Sequence, residues 1–378
     1  MFGFDELVDR QGTGSKKWDK YLGQPVIPMW VADMDFRSPE PVMEAIHRRV
    51  NHGVFGYNEI PKRLLEVVVA RLKHRYNWAI QESDVVFSPG LVPALNQVCR
   101  GLVSENGAVI TAIPVYRPFL DAPGNMGKEL ITLEMKEDEN WQFPVEEFAR
   151  QAEVRPDIDL LLLCHPLNPL GRMLSVAEMQ DIVAICKRFD IKICSDEIHC
   201  ELVLDGRQHT PIASLGPQAA EMTITLMAAS KTFNLAGLGC AMAIAENTQL
   251  RDQYRKGGEG IMANVNTFGF VATEAAWTDC SDWHEALLDY LAANRDYVYE
   301  RCQMITGISV NRVEATYLAW LNVQELGLPD PLSHFEQSGV GLSSGAEFMG
   351  PGYMRLNFGC PRPLLEEGLN RLEKACNQ

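Results

Sequence analysis

The run Ile158–Cys164 reads Ile-Asp-Leu-Leu-Leu-Leu-Cys, almost unbroken in apolar residues. Such a run predicts a strand buried on both faces. A loop rich in turn residues follows, "HPLNPLGRML", with two prolines and a glycine. Ser175 and Glu178 then stand at the spacing of a capping box, which marks a helix start. Met179, Ile182, Val183 and Cys186 fall at i, i+3, i+4 and i+7 and place one apolar face on that helix. Apolar residues return at "IKICS", predicting a second strand that ends at Asp196. Strand, helix and strand at this spacing form a parallel crossover unit.

A similar unit begins upstream. Val85–Phe87 reads as a short strand that passes through Ser88, Pro89 and Gly90 into a helical pattern. Pro93 is tolerated in the first turn of a helix. "GAVITAIPVY" and "TITLMAAS" add further strands, so the middle of the chain predicts an α/β domain with a largely parallel sheet. Near residue 282 the pattern changes. A long helix opens at Ser281 or Asp282, and "GISVN", "ATYLAWLNV" and "GYMRLNFG" alternate like strands of a smaller α+β unit. The expected division is residues 1–45 packing with the small unit, 46–281 as the large domain and 282–378 as the small one.

Composition narrows the function. The chain has 378 residues, 46% of them hydrophobic, enough for a large core. Its net charge of −16 argues against nucleic acid or an anionic membrane as a partner. No run of 18 apolar residues predicts a membrane helix, and the first twenty residues lack the apolar centre of a signal peptide. Ten scattered cysteines with no CxxC pair predict reduced, mostly buried thiols in a cytoplasmic protein. Cys194, His199 and Cys200 do not match a zinc spacing, so no metal is expected. Trp277, Trp283 and His284 are read as helix packing.

One lysine changes the picture. Lys231 lies in "MAASKTFNLAGLG", among small and apolar residues directly after a predicted strand. A long cationic side chain in such a place is solvated, paired or reactive. Ligands of open α/β sheets sit at the carboxyl ends of strands. Those ends here carry Asn168, Asp196 with His199, and Ser230 with Lys231, while Gly90 opens a helix whose free N–H groups suit a phosphate. An amine, a carboxylate, neutral hydrogen-bonding groups and a phosphate cradle are the parts that pyridoxal 5′-phosphate uses. Singly, each residue has a plainer use: Asp196 as a helix cap, His199 in a core, Tyr116 and Tyr57 as packing aromatics, Arg355 in an ion pair.

Together, "PMWVADMDF", "PVYRPF", "SDEIH", "SKTFNLAGL", "YLAWL" and "MRLNFGCPR" resemble, in order, a fold-type I pyridoxal-phosphate enzyme of the aminotransferase class I/II superfamily. Within it they are similar to the MalY/PatB-like cystathionine β-lyases, from about residue 9 to residue 363. The resemblance implies a large PLP-binding domain with a mostly parallel sheet and a smaller α+β domain. It implies that Lys231 bonds the cofactor's aldehyde and moves the substrate's α-proton. Asp196 would pair with the ring nitrogen, Asn168 and His199 would sit beside the phenolic oxygen, and Tyr116 would stack on the ring and take part in catalysis. Gly90, Leu91 and Val92 would hold the phosphate with Ser230 nearby. Tyr57 would reach the site from the other subunit of a homodimer, and Arg355, with Asn168 and Tyr57, would bind the amino-acid substrate. The implied reaction is β-elimination from L-cystathionine or related L-cysteine S-conjugates, as in methionine biosynthesis. Transamination is the alternative, because the same residues serve both, and some members of the subgroup also bind a transcription factor. Two positions depart from the pattern. Gly239 stands where relatives carry a polar or basic residue, and His165 stands where an asparagine is usual.

Overall fold

The computed structural model describes residues 2–377. Its first strand is β1 (Ile27–Pro28), and seven more build the large sheet: β2 (Val85–Ser88), β3 (Ala108–Ile113), β4 (Glu129–Glu134), β5 (Ile158–Cys164), β6 (Lys192–Asp196), β7 (Thr223–Met227) and β8 (Ala241–Ile244). Their spatial order is β2-β8-β7-β6-β5-β3-β4. Only β8 runs against its neighbours, so the sheet is mostly parallel, as expected. The register sets Cys164 beside Asp196 and Asp196 beside Leu226. The carboxyl ends of β5, β6 and β7 are therefore level.

The apolar run of β5 has two destinations. Leu160 and Leu162 join one core cluster with Val98 of the helix Leu91–Leu102, while Leu161 and Leu163 join another with Met179, Ile182, Val183 and Cys186 of the helix Val176–Phe189. Helices cover both faces of the sheet, so both sets of side chains leave water. Each fully buried leucine contributes roughly 1.5–3 kcal/mol. The capping box forms as its spacing predicts. Ser175 Oγ accepts from Glu178 N–H at 3.2 Å, and Glu178 Oε2 accepts from Ser175 N–H at 2.9 Å.

The C-terminal strands are β9 (Ser309–Val310), β10 (Leu318–Asn322), β11 (Val340–Gly341), β12 (Ser343–Ser344) and β13 (Tyr353–Asn357). Four of them make an antiparallel sheet in the order β12-β13-β10-β9, and β11 pairs in parallel with β1. This pairing joins residues 27–28 to residues 340–341, and the expected boundary of the small unit is residue 282. The long helix spans Ser281–Gln303, one residue ahead of that boundary. Neither Ser281 nor Asp282 caps it with a side chain. The preceding helix, Thr267–Asp279, leaves only Cys280 as a joint, and the Cys280 carbonyl accepts from His284 N–H at 3.0 Å. Nine of the ten cysteines are buried. Among the described residues no helix is long and apolar enough to cross a membrane.

Candidate active site

Five strand ends converge on one cleft. Gly90 follows β2, Tyr116 follows β3, Asn168 follows β5, Asp196 ends β6, and Ser230 and Lys231 follow β7. The cleft offers about 230 Å³ to the centre of a water-sized sphere, and Leu91, Val92 and His199 also line it. Nine of the eleven site residues expected from sequence thus share one space. Arg355 lies just behind it on β13, buried, with its Nη1 donating to Asn168 Oδ1 at 3.0 Å. Tyr57 is not there. It lies outside the cleft, wholly exposed, in a loop with exposed Val54, Phe55 and Ile60.

Burial governs the charges. Lys231 Nζ donates to the Ala32 carbonyl at 2.6 Å. Burial, then the nearby Arg355 charge, pull its amine down to about 8, against the attraction of Asp33 and Asp196. The Asp196 carboxyl is pushed up to about 7 by burial, although Ile198 N–H donates to it at 3.1 Å and Lys231 favours its anion. His199 is held neutral by burial, with Lys231 and Arg355 adding to the effect, and its Nδ1 is buried with no partner. Burial also raises the Tyr116 hydroxyl. Arg355 is lowered to about 10 by burial. Its partners are Asn168 Oδ1, the Trp30 carbonyl at 2.8 Å and Ser343 Oγ at 3.3 Å, all neutral.

These features fit pyridoxal phosphate. A buried carboxyl with one backbone donor suits a cationic ring nitrogen, and the orphaned His199 nitrogen suits a polar ring substituent. The twelve-residue helix Leu91–Leu102 starts at Gly90 on the cleft, where its first N–H groups lack intrahelical acceptors. Gly239 lines the same end. Its φ is +56°, and a Cβ there would lie 2.9 Å from the Pro89 carbonyl oxygen, so the chain closes on this end only without a side chain. His165 turns away from the cleft. Its ring packs on His209 at 4.5 Å, and His209 Nε2 meets Glu197 Oε2 at 2.6 Å. Burial holds both imidazoles near 3, so they are neutral.

Sequence reasoning missed Ala32, Tyr317, Cys164 and Ile198. Cys164 and Ile198 line the cleft beside Asp196. Tyr317 donates to the Ala32 carbonyl at 3.0 Å, the same oxygen that Lys231 uses. The stretches "PMWVADMDF" and "YLAWL" stood out, but a backbone acceptor leaves no mark on residue type.

The chain is similar to known proteins in sequence and in fold. The cystathionine beta-lyase PatB of Bacillus subtilis (strain 168) is 32% identical over 387 aligned residues, covering 98% of this chain and 99% of that protein. The crystal structure of OvoB superposes with a TM-score of 0.96 at 38% identity, with both chains fully covered. Cystalysin from Treponema denticola, solved with a pyridoxal 5′-phosphate cofactor, gives 0.95 at 29% identity over 100% of this chain and 99% of that one. A family model described as aminotransferase class I and II matches residues 24–372. With a lysine, a buried aspartate and a glycine-led helix at level strand ends, the chain belongs to the aminotransferase class I and II family.

Proposed function

We propose that this protein is a pyridoxal-phosphate-dependent carbon–sulfur β-lyase that acts on L-cystathionine or related L-cysteine S-conjugates. The likeness to proteins named cystathionine beta-lyase and C-S lyase supports the leaving-group chemistry. The carrying observation is a buried Arg355 with only neutral partners, set behind a cleft that holds Lys231 and Asp196. A buried guanidinium of that kind suits a substrate carboxylate.

In this reading Gly90, Leu91 and Val92 would hold the phosphate through backbone N–H groups, with Ser230 nearby. Asp196 would pair with the ring nitrogen, Asn168 and His199 would sit beside the phenolic oxygen, and Tyr116 would stack on the ring. The bound cofactor would supply an electron sink for the α-carbanion. Arg355 and Asn168 orient the substrate so that its α-hydrogen faces Lys231, whose low-lying amine removes the proton at Nζ. With the thiolate gone from the β-carbon, one water completes conversion to thiol, pyruvate and ammonia. Tyr57 acts from the second subunit of a homodimer, a role supported by the exposed apolar loop around it. The buried thiols support a cytoplasmic setting.

The test supplies L-cystathionine without an oxo acid and follows pyruvate and free thiol. A lyase keeps producing both over many turnovers. Product that appears only once an oxo acid is added would assign the protein to transamination instead.

A further inference from the structure

The Ala32 carbonyl is shared. Lys231 Nζ donates to it at 2.6 Å and the Tyr317 hydroxyl at 3.0 Å, so both lone pairs of one oxygen are used. Tyr317 is 1% exposed, and its ring meets His199 edge-on with centroids 6.0 Å apart. The residue before it is strained. Thr316 has φ +76°, and among the described residues it is the only β-branched residue at positive φ. Two bonds hold it there: its N–H donates to the Leu202 carbonyl at 2.7 Å, and its hydroxyl accepts from Leu318 N–H at 3.1 Å. Strain of this kind persists only where the surroundings enforce it, and it gathers at working sites. Here it aims Tyr317 at Ala32.

We propose that Tyr317 is a positioning residue that holds the Ala32 carbonyl and thereby fixes where the free amine of Lys231 rests between proton transfers. The proposal rests on the functional reading above and adds a residue that the reading does not contain. The charged groups around the amine are Arg355 on β13, Asp33 beside Ala32 and Asp196 at the end of β6, with neutral His199 adjacent. Tyr317 differs from them in bonding the acceptor itself. A hydroxyl that donates to this oxygen weakens it as an acceptor and turns the positive end of its dipole toward the amine. Both effects disfavour the ammonium form.

Two measurements on Tyr317→Phe test this. In cofactor-free protein, Lys231 is pulse-labelled with formaldehyde and cyanoborohydride across pH, and its peptide is quantified by mass spectrometry. The midpoint for Lys231 is expected to rise by about half a pH unit over the parent. In the holoenzyme, exchange of the Cα hydrogen of L-alanine in deuterated water is followed by NMR. This reaction removes and returns a proton but needs neither a leaving group nor an oxo acid. Its rate is expected to fall about tenfold while L-alanine affinity stays within about twofold. Thr316→Val, which keeps the shape but removes the hydroxyl bonded to Leu318, should move both readouts the same way, by about a third as much. The proposal stands only if both readouts move in Tyr317→Phe, and either one unchanged overturns it. If Tyr317→Phe does not fold, Thr316→Val decides by the same two readouts. If the parent neither exchanges the Cα hydrogen nor turns over L-cystathionine, the functional reading fails, and with no parent exchange rate to compare the labelling shift decides the proposal.

Discussion

Without cofactor, Asp196 keeps its proton up to about pH 7, because burial penalises its anion. An unfolded chain releases that proton near 3.9. Between these values the folded state holds the extra proton, so rising pH favours unfolding through this residue. Asp196→Asn removes the effect. Relative to the parent, cofactor-free Asp196→Asn should gain on the order of 2 kcal/mol of stability between pH 5 and pH 8. Urea unfolding at both values checks it, and an equal difference at the two would mean that the carboxyl is solvated. In turnover the direction reverses. Asp196→Ala should lose about a hundredfold or more, and Asp196→Glu less. Asp196, Lys231 and Asn168 were legible because a charged or amide residue at or shortly after the carboxyl end of an apolar strand is conspicuous. Tyr317 was not legible, because its partner is a carbonyl 285 positions away and its cue is a backbone angle at Thr316.

At the scale of elements, the level strand ends leave little freedom at the phosphate end. The family pattern suggests that a basic residue at Gly239 would strengthen cofactor binding. The structure predicts the opposite. Gly239→Arg forces a side chain into positive φ, with its Cβ against the Pro89 carbonyl beside the start of the helix Leu91–Leu102. Displacing that start should weaken cofactor binding about tenfold or more, as read by titrating cofactor-free protein with pyridoxal phosphate. Tighter binding would show that the segment moves aside freely. Glu178 also does more than its capping box implies, since it accepts from Phe143 N–H at 3.2 Å and Arg172 at 2.8 Å. Ser175→Ala should therefore cost only about 1 kcal/mol and Glu178→Ala more, by thermal unfolding. Strands and helices were readable from periodicity because each face of β5 has its own helix layer. The reversed direction of β8 was not readable, since "CAMAIA" is equally apolar whichever way it runs.

For the whole molecule, Tyr57 carries the prediction. If it serves the opposite subunit, mixing Lys231→Ala with Tyr57→Phe under subunit exchange should yield dimers with one intact site. Activity should then rise above that of either parent variant. No gain despite confirmed exchange would remove Tyr57 from the partner's site. The pairing of β1 with β11 has a different reach. It belongs to a segment that side chains in and around the cleft grip: Arg355 donates to the Trp30 carbonyl, Asn357 to the Asp33 carbonyl, Lys231 to Ala32, and Asn234 to Met34 and Phe36. Trp30 and Asp33 are thus held by residues 325 and 324 positions further along. A nascent chain that has just produced Lys231 and Asn234 has only part of what holds residues 27–36 beside them, because β11 and β13 are still unmade. A chain stalled before Arg355 therefore carries Lys231 among its strand-end neighbours but without the guanidinium that stands beside it.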